Sequence, residues 1–264
     1  MRRPARPLLL STVGVISALY ARPPLFAQAT GATTNPNRTS VSVPFIGCVS
    51  HGQTGSLEAP KSTSKSVPIG PEDAQKLAYY ASKDGIGLLA PRGWYCEGDS
   101  GSDNFVLFLS PTLIDRTAPG WSGFDGPAIE AYHMFSGTSG RFEIAKTFAR
   151  VFPAYRKWGK RVLEDFDMPV PSGPYPTDAL TYRNKSVVEY KTPAQTKGLG
   201  TQSTWLRIND LPIAGAAILI YNSPVIGDAP DVLLLSVRLP HDLARLTPVI
   251  VRDLEREAVD APHR

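Results

Sequence analysis

The residues best suited to nucleophilic chemistry lie in the segment Cys96–Gly101, which reads Cys-Glu-Gly-Asp-Ser-Gly. A serine nucleophile at Ser100 would need a histidine base and a buried aspartate that orients this base. His51 is the only histidine between residue 30 and Ser100, and its sequence context does not indicate a catalytic base. We therefore interpret Gly98–Gly101 as a polar turn between two strands, since glycine, aspartate and serine are typical turn residues.

The histidines do not indicate a metal site. His51, His133, His241 and His263 lack metal-ligand spacing, and no cysteine pair accompanies them. No metal and no cofactor is therefore predicted. Glu130 lies near His133 in the sequence, but on a strand the two side chains would point to opposite faces. We find no pair of carboxylates whose spacing indicates acid–base catalysis.

A basic amphipathic helix is predicted over Arg141–Arg161, which contains seven basic residues and one acid, Glu143. At about 100° per residue, five basic side chains share one face, opposite an apolar and aromatic face. These five are Lys146, Arg150, Lys157, Lys160 and Arg161. The pattern favours a core-packed helix with a solvated basic face. It also suits contact with an anionic surface, which would be phospholipid, envelope polysaccharide or an acidic partner.

Aromatic residues beside an arginine form a second candidate contact, at Arg92, Trp94 and Tyr95. If partly exposed, these side chains could stack on a sugar or a peptide. The alternative is that Trp94 fills the core. Both interpretations are open at the level of sequence.

Residues 1–29 have the layout of a secretory signal peptide. Three arginines at positions 2, 3 and 6 precede an apolar run over 8–21, and Ala27-Gln28-Ala29 resembles a cleavage site. The run is shorter than the roughly 20 residues of a membrane helix, so no transmembrane span is predicted. The expected location is periplasmic or secreted.

Removal of the signal peptide changes the charge. The whole chain has 28 Lys and Arg against 24 Asp and Glu, and four of the arginines lie in residues 1–29. The processed chain would therefore have no net charge, which argues against nucleic-acid binding. In an oxidising compartment Cys48 and Cys96 are expected to form one disulfide, and the alternative is two separate buried thiols.

The element pattern predicts an α+β fold. Residues 30–70 read as an N-terminal arm and polar loop anchored by Cys48, and residues 71–264 as a single α+β domain. Helices are predicted over 71–81, over 139–165 with an interruption at Pro153, and over 240–259. Strands are predicted over 86–90, 105–110, 128–135, 180–182, 187–190, 204–208, 213–221 and 232–239. Since strands mostly follow strands, we expect an antiparallel sheet of about six to eight strands covered by two or three helices.

Several segments resemble a group of uncharacterised secreted proteobacterial proteins. They are Gly47–Gly55 with Ala59-Pro60, Leu88–Cys96, Thr192–Thr196 and Leu233–Pro240. This resemblance implies an exported protein and carries no catalytic residues. Pro91-Arg92-Gly93-Trp94 and the C-terminal strand and helix also resemble PsbP-like domains at the level of the fold.

Taken together, these features predict an exported, non-enzymatic protein of the envelope or the medium. It would bind an anionic envelope component, either lipid or polysaccharide, or a protein partner. The alternative is a secreted hydrolase of unidentified substrate, with Ser100 and His133 as the candidate residues.

Overall fold

The computed structural model describes residues 40–53, 55–83, 85, 87–221 and 229–260. The predicted signal peptide lies outside these residues. The strands are β1 Val41–Gly47, β2 Ser50–Gly52, β3 Gly55–Leu57, β4 Ser64–Val67, β5 Leu77–Ala81, β6 Leu88–Pro91, β7 Tyr95–Ser100, β8 Asn104–Ser110, β9 Ala128–Met134, β10 Ala179–Tyr182, β11 Val187–Thr192, β12 Ile213–Ile220 and β13 Asp231–Arg238. The helices are α1 Pro71–Ala74, α2 Arg141–Val151, α3 Arg156–Glu164 and α4 Thr247–Asp260.

The strands of the described residues form two sheets. The larger sheet has nine strands in the order β10-β11-β12-β13-β9-β8-β7-β2-β3, and only its β2–β7 pair is parallel. The smaller sheet has the order β4-β1-β5-β6, with β1 and β5 parallel. The α+β class is thus confirmed. The expectation of a single antiparallel sheet of six to eight strands is wrong, because the N-terminal segments add short strands and parallel pairs.

The nine-stranded sheet buries both of its faces. On one face, Leu107, Ile129 and Leu233 belong to an apolar cluster that also contains the four-stranded sheet and α4. On the other face, Phe108 and Leu234 pack with side chains of α2 such as Phe148. Alternate residues of the central strands therefore enter different cores, as the period of two in a strand requires. None of the described helices is long and apolar enough to span a bilayer.

Several predicted elements are confirmed. The basic helix is interrupted at Pro153, where a short 3-10 turn separates α2 from α3. The hairpin around Asn184 joins β10 and β11 in antiparallel register. The C-terminal helix restarts at Thr247 after a 3-10 segment over 241–246.

Other predicted elements differ because long-range pairing overrides local pattern. The helix predicted over 71–81 is one turn, α1, after which Leu77–Ala81 forms β5 between β1 and β6. The turn predicted at Gly98–Gly101 lies mostly in β7, which pairs with β8. The strand predicted over 204–208 contributes an isolated bridge between Leu206 and Phe124. Part of the loop predicted before residue 70 forms β3 and β4.

The disulfide between Cys48 and Cys96 is present, with a Cα–Cα distance of 5.4 Å. Cys48 follows β1, and Cys96 lies in β7. The bond therefore joins the segment between the two sheets to a strand of the larger sheet. This confirms the pairing expected from the two cysteines.

Candidate functional site

A cleft of about 800 Å³ opens on the face of the nine-stranded sheet that packs against α2. Side chains from β9, α2, the segment after α3 and the segment 197–205 line it. The charged lining residues are Asp99, Glu130, Glu143, Lys146, Arg150 and Lys197, and the aromatic ones are Phe108, Tyr132, Tyr175 and Trp205. A concave site that combines aromatic rings with a few converging charged groups is typical of ligand-binding clefts.

Glu130 is the buried acid of this cleft. It lies in β9, between β8 and β13, and is 1% exposed. Its Oε2 accepts a hydrogen bond from the Trp205 backbone N–H at 2.8 Å, and Oε1 has no hydrogen-bond partner among the described residues. Burial raises the pKa of Glu130 to about 8, because the charged form loses its hydration. The carboxyl group is therefore mainly protonated at neutral pH.

Glu143, in the first turn of α2, is a carboxylate in a different environment. Lys146 Nζ lies 2.5 Å from its Oε1, and the Ser203 hydroxyl donates a hydrogen bond to its Oε2. Glu143 and Lys146 thus form an ion pair within α2. The segment 203–205 thus contacts both acids, through Ser203 at Glu143 and through the Trp205 N–H at Glu130.

Arg150 and Lys197 supply positive charge to the cleft. Arg150 donates to Gln202 Oε1 at 2.5 Å and to the Gly173 carbonyl at 2.9 Å, and its guanidinium lies 3.6 Å from the centre of the Tyr175 ring. These contacts hold the segment after α3 against α2. Lys197 is exposed. Neither cation forms an ion pair within the described part of the chain.

Aromatic rings form one wall of the cleft. Trp205 is 44% exposed, and its ring centroid lies 4.9 Å from that of Trp121. Trp121 in turn contacts Phe124 edge to face. This packing fixes the indole of Trp205 while one part of it faces solvent. Such a ring is a suitable platform for stacking a sugar or another flat ligand.

The predicted basic face divides into two sets. Lys146 and Arg150 line the cleft. Lys157, Lys160 and Arg161 are exposed on α3, where Lys160 lies 3.5 Å from Glu164. The break at Phe152 and Pro153 separates the two sets along the chain.

The predicted stacking trio is also divided. Arg92 donates to the carbonyl oxygens of Leu77 at 3.0 Å and Ala74 at 2.6 Å, so its guanidinium joins α1 to β5. Trp94 belongs to the core, whereas Tyr95 is 49% exposed. Trp94 is therefore buried, whereas Arg92 and Tyr95 are both exposed.

The residues named for the hydrolase alternative are not brought together. Ser100 pairs with Gly52 in the sheet and has no hydrogen bond to a histidine among the described residues. His51 Nε2 lies 3.9 Å from Glu97. His133 Nε2 lies 3.6 Å from Asp231, whose other carboxylate oxygen accepts from Ser136. The described ranges contain no cluster of three or more His, Cys, Asp or Glu that could hold a metal ion.

Glu130 and Glu143 were not predicted from the sequence as a pair. Two signals were available. Glu130 is a charged residue at a core-facing position of an apolar strand, and Glu143 is the one acid in a basic helix. Nothing in their spacing shows that residues 203–205 join them. Comparisons with protein-family models, curated proteins and solved structures gave no match.

Proposed function

We propose that this chain is an exported binding protein that takes an anionic saccharide of the cell envelope into the cleft. The observation that carries the proposal is the convergence of Lys146, Arg150 and Lys197 with the exposed ring of Trp205 around one cavity. The signal-peptide pattern of residues 1–29 and the disulfide support export to an oxidising compartment.

The balance of charge in the cleft favours an anionic ligand. Of the three lining acids, Glu130 is mainly neutral, Glu143 is paired with Lys146, and Asp99 lies 2.6 Å from Arg116. Arg150 and Lys197 form no ion pair among the described residues, although Asp178 is near enough to Arg150 for their charges to interact. An anion in the cleft would therefore meet a small excess of positive charge among the lining side chains.

The shape of the site favours a saccharide over a lipid surface. A concave cleft encloses a short chain of sugars, whereas a bilayer surface needs a protruding or flat contact. The Trp205 face offers stacking for a sugar ring. The hydroxyl oxygens of Thr201, Ser203 and Thr204 can accept hydrogen bonds from sugar hydroxyls, since their own protons are donated to Gly198, Glu143 and Gly200.

Equilibrium titration with defined oligosaccharides tests this function. Oligomers of alginate, polygalacturonate and hyaluronan serve as anionic probes, and maltotetraose serves as the neutral control. We expect at least one anionic oligomer to bind in the micromolar range and maltotetraose to bind at least tenfold more weakly. Affinity should fall as salt is raised, because screening weakens the charge contacts.

Two matched variants locate the site. Lys146→Ala/Lys197→Ala removes two cations from the cleft, and Lys157→Ala/Lys160→Ala/Arg161→Ala removes the exposed cations of α3. We expect the first variant to lose at least tenfold in affinity and the second to bind like wild type. Equal loss in both variants, loss only in the second, or no binding of any anionic oligomer would contradict the proposal. Binding to phosphatidylglycerol vesicles but not to oligosaccharides would favour a lipid surface instead.

A further inference from the structure

We infer that the cleft also hydrolyses a glycosidic bond, with Glu130 as the acid that protonates the leaving oxygen and Glu143 as the base that activates water. This inference rests on the proposed function, because the saccharide must first bind in the cleft. It gives the hydrolase alternative a different pair of residues from Ser100 and His133.

The position of Glu130 carries the acid role. Its carboxyl group is 1% exposed and has one protein hydrogen bond, from the Trp205 N–H to Oε2. Oε1 lacks a partner among the described residues, although the residue lines the cleft. Oε1 is not among the fully buried side-chain atoms without a partner, so it is the part of the carboxyl group that a ligand oxygen in the cleft can contact.

The environment of Glu143 carries the base role. The Lys146 ammonium lies 2.5 Å from its Oε1, and the Ser203 hydroxyl donates a hydrogen bond to its Oε2. Glu130 forms no ion pair within the described part of the chain. Two carboxyl groups in one cleft, one buried without an ion pair and the other paired with a lysine, form the arrangement that divides acid and base roles.

The short segment 203–205 ties the two groups to each other. Ser203 contacts Glu143, the Trp205 backbone N–H contacts Glu130, and Trp205 is 44% exposed. Since Glu130, Glu143 and Trp205 all line the cleft, one bound sugar chain could contact all three. No hydrogen bond joins Glu130 directly to Glu143 among the described residues, so the two acids do not share one proton.

The reaction is balanced with water as the co-reactant. Glu130 gives its proton to the glycosidic oxygen as the bond from this oxygen to the anomeric carbon breaks. The oxygen of one water molecule forms a new bond to the anomeric carbon, and Glu143 accepts the proton that this water loses. Solvent then returns a proton to Glu130 and takes one from Glu143. One water is consumed, two hydroxyl-terminated fragments form, and no group is oxidised or reduced.

The test measures cleavage and binding on the same full-length, disulfide-bonded protein. Each oligosaccharide that binds is incubated with wild type, Glu130→Gln and Glu143→Gln, and new reducing ends are counted over time. We expect wild type to release reducing ends and Glu130→Gln to be at least 100-fold slower, which is within the usual range for loss of a general acid. The Kd of Glu130→Gln should stay within threefold of wild type. Gln keeps an oxygen that can accept the Trp205 N–H.

Glu164→Gln is the matched control, since Glu164 is an exposed carboxylate on α3 outside the cleft. It should cleave at the wild-type rate. The wild-type rate should also fall as pH rises through about 8, where Glu130 loses its proton. The rate is measured only at pH values at which circular dichroism shows wild type to be folded, since ionisation of Glu130 also lowers the free energy of unfolding. Within that range this profile tests the acid role even if Glu130→Gln does not fold.

The outcomes separate the two proposals. Binding without cleavage overturns the hydrolytic inference and leaves the proposed function in place. Cleavage that persists unchanged in Glu130→Gln overturns the assignment of the acid. Absence of binding to every anionic oligomer overturns both.

Discussion

Replacement of Glu130 by Gln should stabilise the protein at alkaline pH. It should also remove much of the pH dependence of the free energy of unfolding. Burial raises the pKa of Glu130 from its usual value of 4.5 to about 8. The folded state therefore keeps a proton that the unfolded state releases over this range. Since the folded state binds more protons, the free energy of unfolding falls as pH rises from about 4.5 to about 8.

The magnitude follows from the same two pKa values. A full unit of pKa difference corresponds to about 1.4 kcal/mol, so Glu130 should remove about 3 to 4 kcal/mol of stability between pH 5 and pH 8. The Glu130→Gln variant has no carboxyl proton to lose at this position, so its free energy of unfolding should not show this fall between pH 5 and pH 8. At pH 5 the free energies of unfolding of wild type and Glu130→Gln should differ by about 1 kcal/mol or less, because a protonated carboxyl and an amide are similar in size and polarity.

Urea unfolding of the oxidised protein, followed by circular dichroism at pH 5, 6, 7 and 8, measures the effect. Burial also raises the pKa of Asp253 to about 6 and of Glu255 to about 7, but both acids remain in both proteins. The difference between wild type and Glu130→Gln therefore isolates Glu130. The free energy of unfolding of the Glu164→Gln control is expected to vary with pH as that of wild type does. Parallel stability curves for wild type and Glu130→Gln would refute the claim that Glu130 is neutral in the folded state.

Three further changes test the contacts that support the fold. Cys48→Ser/Cys96→Ser should lower the free energy of unfolding by about 2 to 4 kcal/mol in urea titrations, because the bond closes a long loop; an unchanged midpoint would contradict this. Arg238→Met should lower it by about 3 to 5 kcal/mol, since Arg238 is 0% exposed and donates to several backbone carbonyls, including that of Gly126 at 2.8 Å. A loss below about 1 kcal/mol would show that these bonds are dispensable. Arg92→Ala should lower it by about 1 to 2 kcal/mol through its lost hydrogen bonds and leave the Kd for anionic oligomers unchanged; weaker binding would instead support a ligand contact at Arg92.

The sequence predicted those elements whose signals are local. The break at Pro153 follows from the missing N–H and the restricted backbone of proline. The alternation along 128–134 predicted opposite faces for Glu130 and His133, and the structure places these side chains on different faces of β9. The disulfide could be predicted because the sequence after residue 29 has only two cysteines and the signal-peptide pattern indicates an oxidising compartment.

The elements that failed depend on partners far along the chain. The apolar residues around Leu77–Ala81 have helical spacing, yet this segment forms a strand. It pairs with β1 along one edge and with β6 along the other. Gly98 and Asp99 look like turn residues, but pairing with β8 extends them. Local propensity is a weak prior when tertiary burial opposes it.

The cleft could not be predicted for the same reason. Glu130 meets the Trp205 backbone across 75 residues, and Ser203 meets Glu143 across 60. The sequence located Lys146 and Arg150 on one helical face, but it placed Lys157, Lys160 and Arg161 with them because it could not show how Pro153 redirects the chain. Side-chain convergence of this kind is a property of the folded topology.

A crystal structure of the protein with a bound anionic oligosaccharide would show whether the cleft is the binding site. We expect a sugar chain in the cleft, with a carboxylate of the ligand within hydrogen-bond distance of Lys146 or Lys197 and a sugar ring stacked on Trp205. A sugar chain bound instead along Lys157, Lys160 and Arg161 of α3, with the cleft left empty, would contradict this expectation.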